Sequence, residues 1–167
     1  MSEPQNELLE ILDLEQIELD LYRGLTPARQ GQRIYGGQVV AQALTAAYRT
    51  IEGRLCHSMH AYFIRPGDPS IPILFQVDRA RDGGSFSVRR VTAIQNGKQI
   101  FNLAASFQVP EDGFEHQDQP PVVPAPEDLL NEEQLREADG VPPRDRDWPV
   151  EVRPIDPEVC CRLSRSG

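Results

Sequence analysis

No stretch of the 167 residues is apolar for the roughly 20 positions that a membrane-spanning helix needs. The first residues, MSEPQNELLE, are acidic and lack the basic and apolar segments of a secretion signal. Cysteine is scarce: Cys56 and the adjacent pair Cys160 and Cys161 give neither the even framework of a small secreted domain nor the paired spacings of a zinc site. Neighbouring cysteines are also too close for an unstrained disulfide, so the expectation is a cytoplasmic chain without metal or cofactor. Broad basic surface is missing as well. Asp and Glu number 11 up to residue 110 and 15 beyond it, whereas Lys and Arg number 11 and 6, so the body is neutral and the tail carries the net charge of -9. That distribution argues against nucleic acid and anionic membranes as partners. Also absent are a G-x-S-x-G elbow, a P-loop, a dinucleotide fingerprint and an H-E-x-x-H helix, which removes serine-triad, kinase and zinc-hydrolase chemistry.

What is present suits one ordinary domain followed by an arm. Leu8, Leu9, Ile11 and Leu12 share one side of a helical wheel and predict a short amphipathic helix resting on the body. Ile17, Leu19 and Leu21 alternate with polar neighbours up to Gly24 and predict a strand with one wet face, followed by a polar loop from Thr26 to Tyr35. The segment from Gly37 to about Thr50 is rich in Ala, Leu and Gln, and predicts a buried helix. Four strand-like runs follow, Leu55 to Ile64, Ile73 to Arg81, Phe86 to Gln95 and Gln99 to Val109. Arg65-Pro66-Gly67-Asp68-Pro69, Asp82-Gly83-Gly84 and Asn96-Gly97 separate them, so an antiparallel meander is expected. The fold class is therefore α+β, a curved antiparallel sheet wrapped around one long helix, as in the hotdog arrangement. Ten prolines lie between Pro110 and Pro157, which marks residues 111–167 as a Pro-rich acidic arm after a domain of residues 1–110. Within the arm only Pro126 to Ala138 is expected to be helical.

Candidate site residues each carry two readings. Gly36, Gly37 and Gln38 open the buried helix, where free amides and the positive dipole end suit a polarised carbonyl and its oxyanion; alternatively the glycines only allow close packing. His57 and His60, three apart on a strand, are expected to face opposite ways, so at most one meets a ligand and either could be a hydrogen-bonded structural histidine. Arg89 and Arg90 divide in the same manner between a phosphate contact and an ion-paired strand position. Asp68 reads as a turn residue or, less naturally, a catalytic acid.

Several runs of residues together resemble one family. They are Leu21-Tyr22-Arg23-Gly24, Tyr35-Gly36-Gly37-Gln38-Val39-Val40-Ala41-Gln42-Ala43-Leu44, and the run from His57 through Met59-His60-Ala61-Tyr62-Phe63-Ile64-Arg65-Pro66-Gly67-Asp68. Arg81-Asp82-Gly83-Gly84-Ser85-Phe86, Ala93-Ile94-Gln95-Asn96-Gly97-Lys98 and Ala105-Ser106-Phe107-Gln108 continue the set. In order and spacing they resemble the opening of the acyl-CoA thioesterase II family, double-hotdog enzymes that hydrolyse medium- to long-chain acyl-CoA to fatty acid and CoA without a cofactor. The resemblance implies a hotdog domain at residues 1–110 and an acyl-CoA ligand, with Gly36, Gly37, Gln38 and His57 as substrate-facing residues. The family's catalytic Asp, Thr and Gln belong to a second hotdog domain, so none is carried over, and the expectation is that this second domain is absent after Val150 to Pro154. The helix Gln38 to Thr50 holds no Asp or Glu to act as base. Hydrolysis is one reading; a non-catalytic acyl-CoA-binding or scaffold half is the other. An uncovered sheet edge further implies a homo-oligomer.

Overall fold

The computed structural model describes residues 4–26, 33–142 and 150–156, with side chains from Leu8 onward. The chain divides into two compact units, Met1–Gly113 and Phe114–Gly167.

In the first unit a helix, α1 (Pro4–Leu12), leads into two short strands, β1 (Glu15–Glu18) and β2 (Leu21–Gly24). The long helix α2 (Gly36–Tyr48) follows, then β3 (Leu55–Phe63), β4 (Ile73–Asp82), β5 (Phe86–Gln95) and β6 (Lys98–Gln108). The six strands form one curved antiparallel sheet in the order β1-β2-β4-β5-β6-β3. Val39, Ala43, Ala46 and Ala47 of α2 are buried against Phe75, Val77, Val91, Ala93, Leu103, Ala105 and Phe107 of the sheet. Three alanines at the contact let the helix axis sit close to the strands, so the apolar volume of the core comes from the sheet side. This is the α+β hotdog architecture the sequence predicts. Among the described residues no helix is long and apolar enough to cross a membrane, and no group of three or more His, Cys, Asp or Glu could hold a metal ion.

Three local expectations are corrected. The single strand expected through Ile17 to Gly24 is a hairpin, because Asp20 adopts φ 58° and turns the chain between β1 and β2. Asp is one of the few residues that tolerates this region. Ile17 and Leu19, the alternating apolar residues, are exposed, and the buried residue is Tyr22. Second, β3 does not join a meander with β4. Of the four strands β3 to β6, only β4, β5 and β6 are paired in sequence order, while β3 lies at the far edge beside β6. Reaching β4 from there means crossing about 14 Å of sheet, three strand spacings, and the segment holding Pro66, Pro69 and Pro72 does so as an extended crossover. Third, Leu8 and Leu9 of α1 are exposed, and only Ile11 and Leu12 turn partly inward. The Asn96-Gly97 signal, by contrast, forms the expected tight turn, with φ 49° and 70° and Gln95 paired to Lys98.

The second unit is built differently. The helix expected from Pro126 to Ala138 is two pieces, a 3-10 turn (Pro126–Asp128) and α3 (Glu132–Ala138). Asn131 separates them by taking the N-cap: its side chain accepts from the Gln134 amide while the Gln134 side chain accepts from the Asn131 amide, a reciprocal capping box. Arg153 donates to the carbonyls of Pro126 and Leu129, so residues 150–156 close back onto the turn. Residues 27–32 of the loop expected from Thr26 to Tyr35, and the Cys160 and Cys161 pair, lie outside the described residues.

Candidate functional site

The N-terminus of α2 opens into a concave pocket of about 360 Å³. Its wall is apolar where Ile34, Val39, Phe63, Ile100 and Phe101 line it, and polar where Arg33 and Arg65 stand. Gly36 lines it too, and a Cβ there would fall 3.0 Å from the Phe63 ring. Glycine therefore permits the edge strand β3 to lay Phe63 over the first turn of α2, and Phe63 in turn meets the Phe101 ring at a tilt, with 5.0 Å between centroids. Gly37 is constrained only by the exposed ring of Tyr35. The amides of Gln38 and Val39 donate to the Tyr35 carbonyl, while those of Gly36 and Gly37 have no acceptor among the described residues. Gly36 thus enables packing, and the two amides ahead of the first helical bonds have no acceptor among the described residues.

The floor of the pocket is the crossover after β3. Gln95, 6% exposed, accepts from the Asp68 amide and donates to the carbonyls of Asp68 and Ile71, while the Ile34 amide donates to the Gly67 carbonyl. Asp68 itself accepts from the Ser70 amide and hydroxyl, which hold its carboxyl below the usual range. It is a turn-forming residue here, and it does not line the pocket. Gln95 escapes sequence reasoning because a glutamine at a strand end carries no pattern.

Gln38 and His57 do not join this pocket. The buried Gln38 side chain donates at 3.2 Å to the Leu25 carbonyl and the Thr26 hydroxyl, towards the chain leaving β2. One turn on, Gln42 is fully buried and donates to the carbonyls of Ile11 and Leu25, leaving its own oxygen without a partner among the described residues. His57 lies at the other end of β3, six residues from Phe63, or about 20 Å at the rise of a strand. A bulge there corrects the expectation that His57 and His60 face opposite ways. Cys56 pairs with Phe107 and Ser58 with Ser106, so His57 is the extra residue and the alternation restarts. Its Nε2 lies 2.9 Å from the Ser106 hydroxyl and its ring meets Phe86 edge-on, both on the outer face, where His60 also contacts Tyr62. The Ser106–His57 contact is of nucleophile–base type, but no carboxylate among the described residues orients the imidazole.

Arg89 and Arg90 do face opposite ways. Arg90 is exposed, whereas Arg89 is 1% exposed beneath the C-terminal end of α2. It takes its place in a second, more polar hollow of about 330 Å³ that also includes Arg49, Arg54, Arg79 and Asp82. Arg89 is ion-paired to Asp82 at 2.7 Å, and that guanidinium, with the Ser87 hydroxyl, holds the Asp82 carboxyl below its ordinary range. Nearby, burial is the main reason the Tyr22 phenol is pushed up.

Comparison with known proteins agrees with this architecture. Residues 26–108 match the family described as acyl-CoA thioesterase N-terminal domain. Human acyl-coenzyme A thioesterase 8 is 40% identical over 93% of this chain and 53% of its own length. Acyl-CoA thioesterase 2 of Haemophilus influenzae is 47% identical over 79% of the chain and 46% of its own length. Among solved structures, the acyl-CoA thioesterase II TesB2 of Mycobacterium marinum superposes with a TM-score of 0.64 at 47% identity, covering 71% of this chain and 44% of that one. The chain thus spans about half the length of the curated relatives it matches. By sequence and by fold, it belongs to the acyl-CoA thioesterase II family through that family's N-terminal hotdog domain.

Proposed function

We propose that this chain recognises acyl-CoA and takes part in hydrolysing it to fatty acid and CoA, with medium- to long-chain acyl groups as substrates and the cytoplasm as its compartment. The observation carrying the reading is the family match over residues 26–108, which places every residue around the α2 pocket inside the matched segment. The amides of Gly36 and Gly37 are suited to a polarised thioester oxygen, and Phe63, Phe101 and Ile100 offer apolar wall to the acyl or pantetheine part. Gln38 and His57 remain candidates for substrate contact from neighbouring surfaces. The exposed edge of β3 supports pairing with a second copy, giving a homo-oligomer.

One observation favours the alternative, a non-catalytic acyl-CoA-binding half. The pocket lining contains no Asp, Glu or His, and attack of water on a thioester needs a base within hydrogen-bond reach. Thiol release from a medium-chain and a long-chain acyl-CoA, measured beside His57→Ala and a buffer blank, separates the two. Turnover above the blank supports hydrolysis by this chain, and its loss in the variant assigns a role to His57. Binding of acyl-CoA without thiol release supports the non-catalytic reading.

A further inference from the structure

Not every cation of the first unit meets a carboxylate among the described residues, and two of those that do not share the lining of the α2 pocket. Arg23, Arg49, Arg79 and Arg89 each meet a carboxylate, Glu15, Asp13, Asp20 and Asp82 respectively. Arg33 and Arg65, the two cations of the pocket, meet none. Arg65 gives one Nη1 hydrogen bond to the Gln99 carbonyl at 2.6 Å, which anchors its side chain and leaves the other guanidinium N–H groups open. Arg33 has no hydrogen-bonding or ionic partner among the described residues. Their backbones are fixed independently of any ligand: the Arg65 amide donates to the Ile100 carbonyl, and the amide of Ile34, next to Arg33, donates to Gly67. One anchored guanidinium and a second exposed one, without a counter-charge among the described residues and beside an apolar wall, make a site for an oxyanion attached to a less polar body.

We infer that Arg33 and Arg65 form an anion subsite that takes a phosphate or carboxylate oxyanion carried by the thioester substrate. The inference rests on the acyl-CoA reading above. Phosphates of the CoA moiety and a carboxylate at the far end of a dicarboxylic acyl chain present the same chemistry to a guanidinium pair, and binding can tell them apart.

The test is calorimetric titration of the intact chain with three probes: free CoA, an alkyl thioether of pantetheine with no phosphate, and the same thioether ending in a carboxylate. The titrations compare the native chain with the R33A/R65A double variant. Both side chains are exposed, so the variant is expected to keep the native melting temperature. Loss of about ten-fold or more in affinity for CoA, with the neutral thioether unchanged, identifies a phosphate subsite. The same loss confined to the carboxylate probe identifies a carboxylate subsite. Native affinity for the favoured anionic probe is also expected to fall between about 50 mM and 500 mM salt while that for the neutral probe holds. Equal binding of all probes by both proteins, or no binding of either anionic probe by the native chain, overturns the inference. Thiol release is scored separately. Arginine-dependent binding without turnover removes hydrolysis and keeps the subsite, whereas turnover and binding indifferent to the double variant remove the subsite and keep hydrolysis.

Discussion

Each of the five N–H groups of Arg89 has an acceptor. Nε donates to the Thr50 hydroxyl, Nη1 to the carbonyls of Arg81 and Val88, and Nη2 to the Thr50 carbonyl and Asp82. A buried charge is tolerated because its donors are all met and because one of them is paired to a carboxylate. Arg89→Met leaves those acceptors without donors and should cost about 3 kcal/mol, read as a fall in chemical-denaturation midpoint with unchanged m-value. Lysine cannot replace the five donors and should recover only part of the loss. Asp82 supplies a pH dependence. Its carboxyl is held low in the folded state, so its stabilisation is complete above the ordinary Asp value and disappears as the pH falls through the folded one. Asp82→Asn should therefore flatten the acid limb of melting temperature against pH below about pH 4. An unchanged limb would show that other carboxylates govern acid unfolding.

At the scale of elements, most of the fold was legible because its signals are local. The Ala-rich run of α2, the β-branched and aromatic runs of β4 to β6, and Asn96-Gly97 each specify their own geometry. Gly97 at φ 70° makes the last of these testable: Gly97→Val should cost about 1–2 kcal/mol by forcing a branched residue into the left-handed region. What escaped sequence reasoning depended on partners far along the chain. The apolar alternation of Ile17 and Leu19 pointed to the wrong face, since Asp20 ends β1 and its position is held from β4, by the Val77 amide and by Arg79. The bulge at His57 leaves no trace in composition, because it exists only in the register against β6. Of the candidate site, Gly36 was legible and lines the pocket; Arg33, Arg65 and Gln95 were missed, because their convergence is a product of the crossover and not of any motif.

For the molecule as a whole, the two edges of the sheet differ. β1 is four residues long, and all four are exposed. β3 is nine residues long, is paired on one side only, and shows Leu55, Met59, Tyr62 and Phe63 to solvent. A long edge with apolar side chains is where a second copy of the chain would pair, and light scattering at tens of micromolar is expected to report a dimer or larger assembly. A monodisperse monomer would count against it. Lys substitutions at Met59 and Tyr62 should shift any such assembly towards monomer without lowering the melting temperature measured at high dilution. The crossover has a consequence in time as well as in space. β3 leaves the ribosome before β4, β5 and β6, yet among the described residues its only strand partner is β6, the last strand of the sheet. During synthesis β3 must wait, unpaired and apolar, until residues near Gln108 emerge, and a chain interrupted at Gln95 would carry a strand with nothing to bind.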